Sequence, residues 1–435
     1  MTRKSTKPAA ETPSSTIKRR RSLTLSGCAL IIVGLVVGVL ALTGALPENL
    51  LSWAGTAIQT AQFEFITVTA PPGSTVKPSA TPKVAVAVTA APTTVSATVA
   101  GRATNWLTVY FTTPGNTSRT FLDSAILPAL TRASRTIDVA MFDLNLPSFV
   151  QALVDAKGRG VTVRVVADQE NGNTKLEGDL NGGKAFDAIK TLKAADIPVV
   201  NGGRSSGLMH AKIIIVDGQT LFVGSWNASY NDTFRNNNNE LRIVNPQLVL
   251  NYQAEFDDMF VNKQFGARSV LRAIQPVLTI DGTPVENYFA PRDKVMDKLV
   301  TEANKGRKTI RVMIFTFTAD ELAKQLISQA KLGVSVQVVI EARGSTQGVL
   351  STLFCAKQAN LSVRTDGNGA TMHHKVMIID DETVITGSYN FTKAADTTND
   401  DSLLIIRNGR VASQYVTEFD RVFAQAKPPE GIKCR

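Results

Sequence analysis

Histidine and cysteine are both scarce in this chain, with three of each in 435 residues. So few cysteines exclude a fold stapled by several disulfides. Cys28 lies in an apolar run, which leaves Cys355 and Cys434 as the pair able to bond. An exported domain would permit that bond, and two unrelated thiols are the alternative. Acidic side chains are outnumbered, 37 against 47 Lys and Arg, for a net charge of +10. The excess is uneven: nine basic against three acidic residues before position 101 give +6, and the remaining 38 against 34 give +4. A pI near 9.5 therefore reflects the N-terminal tail as much as the rest, and is weak evidence for a nucleic-acid surface. The length suits two or three domains, and 43% hydrophobic residues suit a globular core.

Charge is missing altogether from Leu23 to Leu46, directly after the cluster Lys18, Arg19, Arg20 and Arg21. A stretch of that length can cross the roughly 30 Å hydrocarbon core as a helix. The basic cluster should stay cytoplasmic, so that everything after Pro47 lies on the other side of the cell membrane. A cleavable signal peptide, giving a secreted protein, is the competing reading, with Thr43-Gly44-Ala45 as the small-residue site. Residues 70–100 are rich in Pro, Ala, Thr and Val, with almost no charge and no lasting period. They read as an extended stalk, and the linker from residue 47 has a reach of about 40 Å. The expected division is a basic tail (1–22), a transmembrane anchor (23–46), a flexible linker (47–103) and two similar halves (104–265 and 266–435).

The halves declare themselves by repetition. "MHAKIIIVDGQTLFVGSWN" at 209–227 returns as "MHHKVMIIDDETVITGSYN" at 372–390, an offset of 163 with nine of nineteen positions identical. Earlier segments repeat at an offset of 173: "TIDVAMFDL" (136–144) with "TIRVMIFTF" (309–317), and "GVTVRVVAD" (160–168) with "GVSVQVVIE" (333–341). Each half reads strand, helix, strand, helix, short strand, the quoted motif and a last helix. The strands are Val/Ile-rich without strict alternation, which indicates a buried, mixed or parallel sheet covered by helices on both faces. The expected fold class is α/β, two α/β/α halves packed as a pseudo-two-fold dimer within a monomer. That symmetry would bring the same element of each half to a shared axis.

Each motif has the form His-x-Lys-x4-Asp-x6-Gly-Ser-x-Asn. Copy one supplies His210, Lys212, Asp217, Gly224, Ser225 and Asn227; copy two supplies His373, Lys375, Asp380, Gly387, Ser388 and Asn390. A His and a Lys two apart on an extended chain point to one side together. All three histidines lie in these motifs, and imidazole is the side chain that titrates nearest neutral pH. A metal site needs more ligands than this, and an ammonium beside the imidazole would repel a cation. No cofactor is expected. Phosphate suits the set: two lysines for its charge, and Ser225, Asn227, Ser388 and Asn390 as neutral donors. Asp217 and Asp380 end their strands and are expected to brace the fold. Spacing makes His373 the motif residue, with His374 pointing to the opposite face.

The duplicated pattern resembles the phospholipase D superfamily over about 104–430. The short halves, and "GSYNFTKAADTTNDD" (387–401) in particular, are similar to its compact bacterial endonuclease branch. The resemblance implies a metal-independent two-step displacement at a phosphodiester. His210 would attack phosphorus, His373 would act as acid and base, and Lys212 and Lys375 would stabilise the transition state. It also implies an acidic partner on each imidazole some ten or more positions past the Gly-Ser-x-Asn. Glu240 is the candidate in copy one; copy two offers Asp400 or Asp401, and Asp401 is chosen. Arg204 could reach a phosphate. Hydrolysis of a phospholipid is the favoured reading because of the membrane tether. A membrane-tethered nuclease and a non-catalytic phosphate-binding scaffold are the alternatives.

Overall fold

The computed structural model describes residues 105–434 apart from 119, 270–272 and 344–346. The basic tail, the apolar run and the whole linker lie outside these residues. Among the described residues no helix is long and apolar enough to cross a membrane.

The first half contributes β1 (Leu107–Phe111), β2 (Thr136–Met141), β3 (Thr162–Ala167), the small hairpin β4 (Lys175–Leu176) and β5 (Phe186–Asp187), β6 (Val199–Asn201), β7 (Lys212–Val216), β8 (Thr220–Gly224) and β9 (Asn239–Ile243). Seven of these form a sheet in the order β1-β9-β8-β7-β2-β3-β6. The second half contributes β10 (Val277–Ile280), β11 (Thr283–Ala290), β12 (Thr309–Ile314), β13 (Ser335–Ile340), β14 (Leu361–Thr365), β15 (Lys375–Ile379), β16 (Thr383–Gly387) and β17 (Asp401–Arg407). Its sheet runs β10-β11-β17-β16-β15-β12-β13-β14. With β10 set aside, the two orders are the same. Both sheets are mixed: β2/β3/β6 and β12/β13/β14 are parallel, and the remaining pairings are antiparallel. The edge strands β1 and β10, and β11 beside β10, are additions that the repeat alone does not announce.

The motif strands are buried on both faces, which explains why their sequences do not alternate. Ile213 and Ile215 of β7 face a central apolar cluster, and Ile214 and Val216 face an outer one under the helix Pro147–Gly158. Val376 and Ile378 of β15 meet the same central cluster, together with Tyr252 and Phe256 of the helix Pro246–Phe260 and Tyr415 and Phe419 of the helix Gly409–Gln425. Residues of both halves thus share one core, and the described residues belong to one compact unit. Fully burying each such side chain is worth about 1.5–3 kcal/mol. The two long helices start alike: Asn245 accepts from the backbone N–H of Leu248, and Asn408 from those of Arg410 and Val411.

Both motif hairpins turn on an aspartate with positive φ, Asp217 (55°) and Asp380 (54°), followed by Gly218 (64°) and Asp381 (58°). Two successive left-handed residues match a tight hairpin turn to the strand twist, and Asp tolerates the conformation better than most residues. Each carboxylate also accepts backbone N–H groups at the start of the neighbouring strand: Ser134, Arg135 and Thr136 for Asp217, and Arg307, Lys308 and Thr309 for Asp380. Burial alone would raise their pKa; these donors outweigh it and lower both below the ordinary value. The motif aspartates lock the hairpin to β2 and β12, away from the histidines.

Cys355, the last residue of the helix Gln347–Cys355, is disulfide-bonded to Cys434 with their Cα atoms 5.3 Å apart. The bond ties the end of the chain to the second half.

Candidate active site

The histidines sit where the halves meet, in segments that cross between them. The backbone N–H of His210 donates to the carbonyl of Asp400 at 3.0 Å, and that of His373 to the carbonyl of Asn237 at 2.9 Å. The side chains cross as well. His210 Nδ1 lies 2.7 Å from Asp401 Oδ1, and His373 Nδ1 lies 2.9 Å from Asn238 Oδ1. Each imidazole is therefore held by the other half.

This arrangement corrects the expectation for Glu240. Copy one holds its neighbour's imidazole through Asn238, which is the residue matching Asp401 at the offset of 163. Glu240 lies two residues further along β9, buried, with one carboxylate oxygen unpartnered among the described residues. Burial pushes its pKa well above the ordinary value, with Lys212 pulling the other way. It has no direct hold on either imidazole. Asp401 takes the expected role, but toward the histidine of copy one.

Ser225 and Ser388 are also placed differently from expectation. Ser225 Oγ donates to Asn238 Oδ1 at 2.9 Å and accepts from the backbone of Asn239; Ser388 Oγ donates to Asp401 Oδ1 at 2.7 Å and accepts from the backbone of Ser402. Both hydroxyls are fully buried and orient the imidazole partners instead of facing a phosphate. Asn227 is likewise occupied: its amide donates to Asp232 at 2.5 Å, and its Oδ1 accepts from the backbone of Asp143. Asn390 differs, with its Oδ1 unpartnered among the described residues. Its Nδ2 likewise donates to no group among the described residues, so of the four neutral donors Asn390 alone has an N–H free for a phosphate oxygen.

Lys212 and Lys375 begin β7 and β15, and each donates to the carbonyl of its own motif histidine, at 2.7 and 2.8 Å. Burial lowers Lys212 to about 8, although Asp401, Asp143, Asp232 and Glu240 pull it up. Lys375 is lowered well below its ordinary value by burial and then by Lys212. His210 is lowered by burial and Lys212, with Asp401 opposing; His373 is lowered well below its ordinary value by burial, Lys375, Lys212 and His210. Groups of both copies thus share one electrostatic environment. No hydrogen bond occupies Nε2 of His210 or His373 among the described residues. The structure leaves those two nitrogens available.

Several neighbours were not foreseen. Phe142 and Phe315, each just past the end of its strand, pack on the imidazoles with ring centroids 5.0 and 4.9 Å apart. Lys212 and Lys375 Nζ lie 5.2 and 4.8 Å from the same two rings. Asp168 and Glu341 accept the backbone N–H of Met209 and Met372, immediately before the histidines, at 3.1 and 2.6 Å. All four positions lie in the segments repeated at offset 173, which was the available signal. Arg204 is bound to Asp400 at 2.7 Å and to the carbonyl of Thr398, so it clasps the two halves and does not await a phosphate. His374 is buried, 3.2 Å from Asn239 Oδ1 and 2.9 Å from Glu418 Oε1, and does more than pack.

Two buried lysines and two imidazoles with open Nε2 atoms, assembled from a duplicated motif, are the equipment of a phosphodiester hydrolase. The chain belongs to the phospholipase D superfamily: the family described as "Cardiolipin synthase, PLD-like domain" matches residues 126–260 and 299–423. Among its relatives, a mitochondrial cardiolipin hydrolase of Xenopus tropicalis is 27% identical over 179 residues, covering 39% of this chain and 82% of that protein. A phospholipase D of Rickettsia prowazekii (strain Madrid E) is 26% identical over 161 residues, covering 37% and 78%. Among solved structures, a phosphatidylserine synthase of Haemophilus influenzae Rd KW20 shares the fold over 73% of this chain and 87% of that one, with a TM-score of 0.55 at 13% identity. Nuc of Salmonella typhimurium, a phospholipase D family member, is 30% identical, covering 33% of this chain and 97% of that one, with a TM-score of 0.32.

Proposed function

We propose that the protein hydrolyses the head-group phosphodiester of a phospholipid through a phosphohistidine on His210. The observation that carries the mechanism is the difference between the two imidazole partners. A carboxylate on Nδ1 stabilises the positive charge that His210 gains when Nε2 bonds to phosphorus. A neutral amide on Nδ1 leaves His373 the more acidic imidazolium, which suits a proton donor. In the first step His210 Nε2 attacks phosphorus, the ester P–O bond breaks, and His373 Nε2 gives its proton to the departing alkoxide. In the second, His373 takes a proton from water as the hydroxide attacks phosphorus and the P–N bond breaks, which restores both imidazoles. Lys212, Lys375 and Asn390 stabilise the charge on the phosphoryl oxygens. The reciprocal hold of each half on the other's histidine supports reading the halves as a pseudo-two-fold pair around this site.

The lipid substrate draws support from relatives named as cardiolipin hydrolase and phospholipase D. The uncharged run at 23–46 would hold the enzyme at the non-cytoplasmic face of a membrane. The test incubates the chain, in EDTA, with cardiolipin or phosphatidylcholine vesicles and in parallel with plasmid DNA. Head-group release is expected. Cleavage of DNA with intact lipid would establish the nuclease reading instead, and inertness toward both would leave a phosphate-binding scaffold. In a His373→Ala variant given a p-nitrophenyl phosphodiester, one equivalent of p-nitrophenol and a phosphoryl adduct on the His210 peptide are expected. An adduct on no histidine would overturn the covalent mechanism.

A further inference from the structure

The motif copies differ at two aligned positions in a way that conserves charge but moves it. At the offset of 163, copy two has Ala395 and Asp401 where copy one has Asp232 and Asn238. The carboxylate that copy one lacks at 238 stands six residues earlier. Asp232 is buried and accepts from amides alone: Asn227 N at 3.1 Å, Asn227 Nδ2 at 2.5 Å, Asn236 Nδ2 at 2.6 Å and Asn238 Nδ2 at 3.0 Å. Its Oδ1 is also 3.4 Å from His373 Nδ1.

We infer that Asp232 is the positioning residue for His373, acting through Asn238. The side chain of Asn238 is saturated. Nδ2 donates to the Asp232 carboxylate and to the Asp232 carbonyl at 3.1 Å, while Oδ1 receives Ser225 Oγ and faces His373 Nδ1. Turning the amide over would set its oxygen against two oxygens of Asp232. Asp232 therefore fixes the amide, and the amide oxygen requires a proton on His373 Nδ1. Nε2 is left as the atom that takes up and releases the shuttled proton. In copy two the same task on His210 is done in one step by Asp401. A carboxylate set behind the amide, at 3.4 Å from Nδ1, fixes the tautomer while the hydrogen-bonded contact at 2.9 Å stays neutral, consistent with an acid on one side of the site and a nucleophile on the other. After burial, the largest influences on His373 come from Lys375, Lys212, His210 and His374. All are cationic or potentially so, and Asp232 is the acidic group in contact with the imidazole among the described residues.

This inference rests on the two-imidazole mechanism, but its first readout does not need turnover. With only three histidines, the full-length chain labelled with 15N-histidine gives three resolvable imidazoles. In the free enzyme, above the pH at which its imidazolium loses the Nε2 proton, wild type should show His373 as a single neutral tautomer with the proton on Nδ1. Asp232→Asn and Asp232→Ala should each show it as a mixture, while the His210 and His374 signals stay in place and report an intact fold. With a phosphodiester substrate, kcat should fall about 10- to 100-fold with KM changed less than about 3-fold. Asp232→Ala combined with Asn238→Asp, which recreates the copy-two arrangement, should recover most of the loss. An unchanged His373 tautomer in both single variants would overturn the inference, as would a double variant no better than Asp232→Ala. If wild type turns over no phosphodiester, the mechanism fails, while the tautomer measurement still decides the role of Asp232.

Discussion

Asp401 and Asn238 show how much one atom type decides at the scale of a residue. Replacing Asp401 by Asn would give both imidazoles an amide partner and remove the charge that stabilises a phosphorylated His210. We expect kcat/KM to fall about 10²–10⁴-fold in steady-state assays, with His210 still ordered, as when a carboxylate orienter is neutralised in other His-dependent sites. The pH profile belongs at this scale too. Lys212 titrates at about 8 because burial disfavours its ammonium. Its charge is present below that pH and lost above it, so kcat/KM for the free enzyme should decline above about pH 8, up to tenfold per unit. A flat profile to pH 10 would show that Lys212 charge is not needed. The identity of the imidazole partners was only half legible in the sequence. Glu240 is the first acid past the Gly-Ser-x-Asn of copy one that lies at a strand, whereas the position aligned with Asp401 carries the amide of Asn238. Asp232 was hidden for the same reason, since no repeat logic points to a charge displaced by six residues.

At the scale of the element, the hairpins β7–β8 and β15–β16 were the most legible part of the chain. Apolar runs bounded by Lys and Asp specify a doubly buried strand and its turn, and the observed strands keep those bounds. What the sequence could not supply was the swap between halves. Asn237 and Asn238, and likewise Asp400 and Asp401, lie next to their own motif in sequence, yet they reach the histidine of the other copy alongside the bridges Asn237↔Met372 and Met209↔Asp400. The turn aspartates carry a prediction. Asp217→Ala loses accepted N–H bonds from three successive residues and places a Cβ without a polar side chain in the left-handed region. A loss of about 1–3 kcal/mol in denaturant unfolding is expected. Activity at low temperature should persist, because the turn lies at the far end of the strand from the histidine. Asp380→Ala should behave alike.

Across the whole molecule, the site exists only while the halves remain docked. The central core does most of that work, but polar clasps set the register of one half on the other. Arg204 of the first half holds Asp400 of the second, the residue beside Asp401 and the acceptor of the His210 N–H. His374 joins Asn239 of one half to Glu418 of the other, and His374→Ala should destabilise the fold by about 1–3 kcal/mol while leaving the chemistry at His210. The Arg204 clasp should matter more. Asp400 is buried, and burial already pushes its pKa up to about 6 against the pull of Arg204. Arg204→Ala would strand that carboxylate, at a cost of about 3–5 kcal/mol in chemical denaturation. Its loss should also loosen the acceptor of the His210 backbone, so kcat should fall even where the variant is fully folded. Arg204→Ala paired with Asp400→Asn removes the stranded charge and should regain part of the stability. If the double variant recovers stability but not kcat, register and not charge is what the clasp gives the site; recovery of both would make Arg204 a purely structural counter-ion.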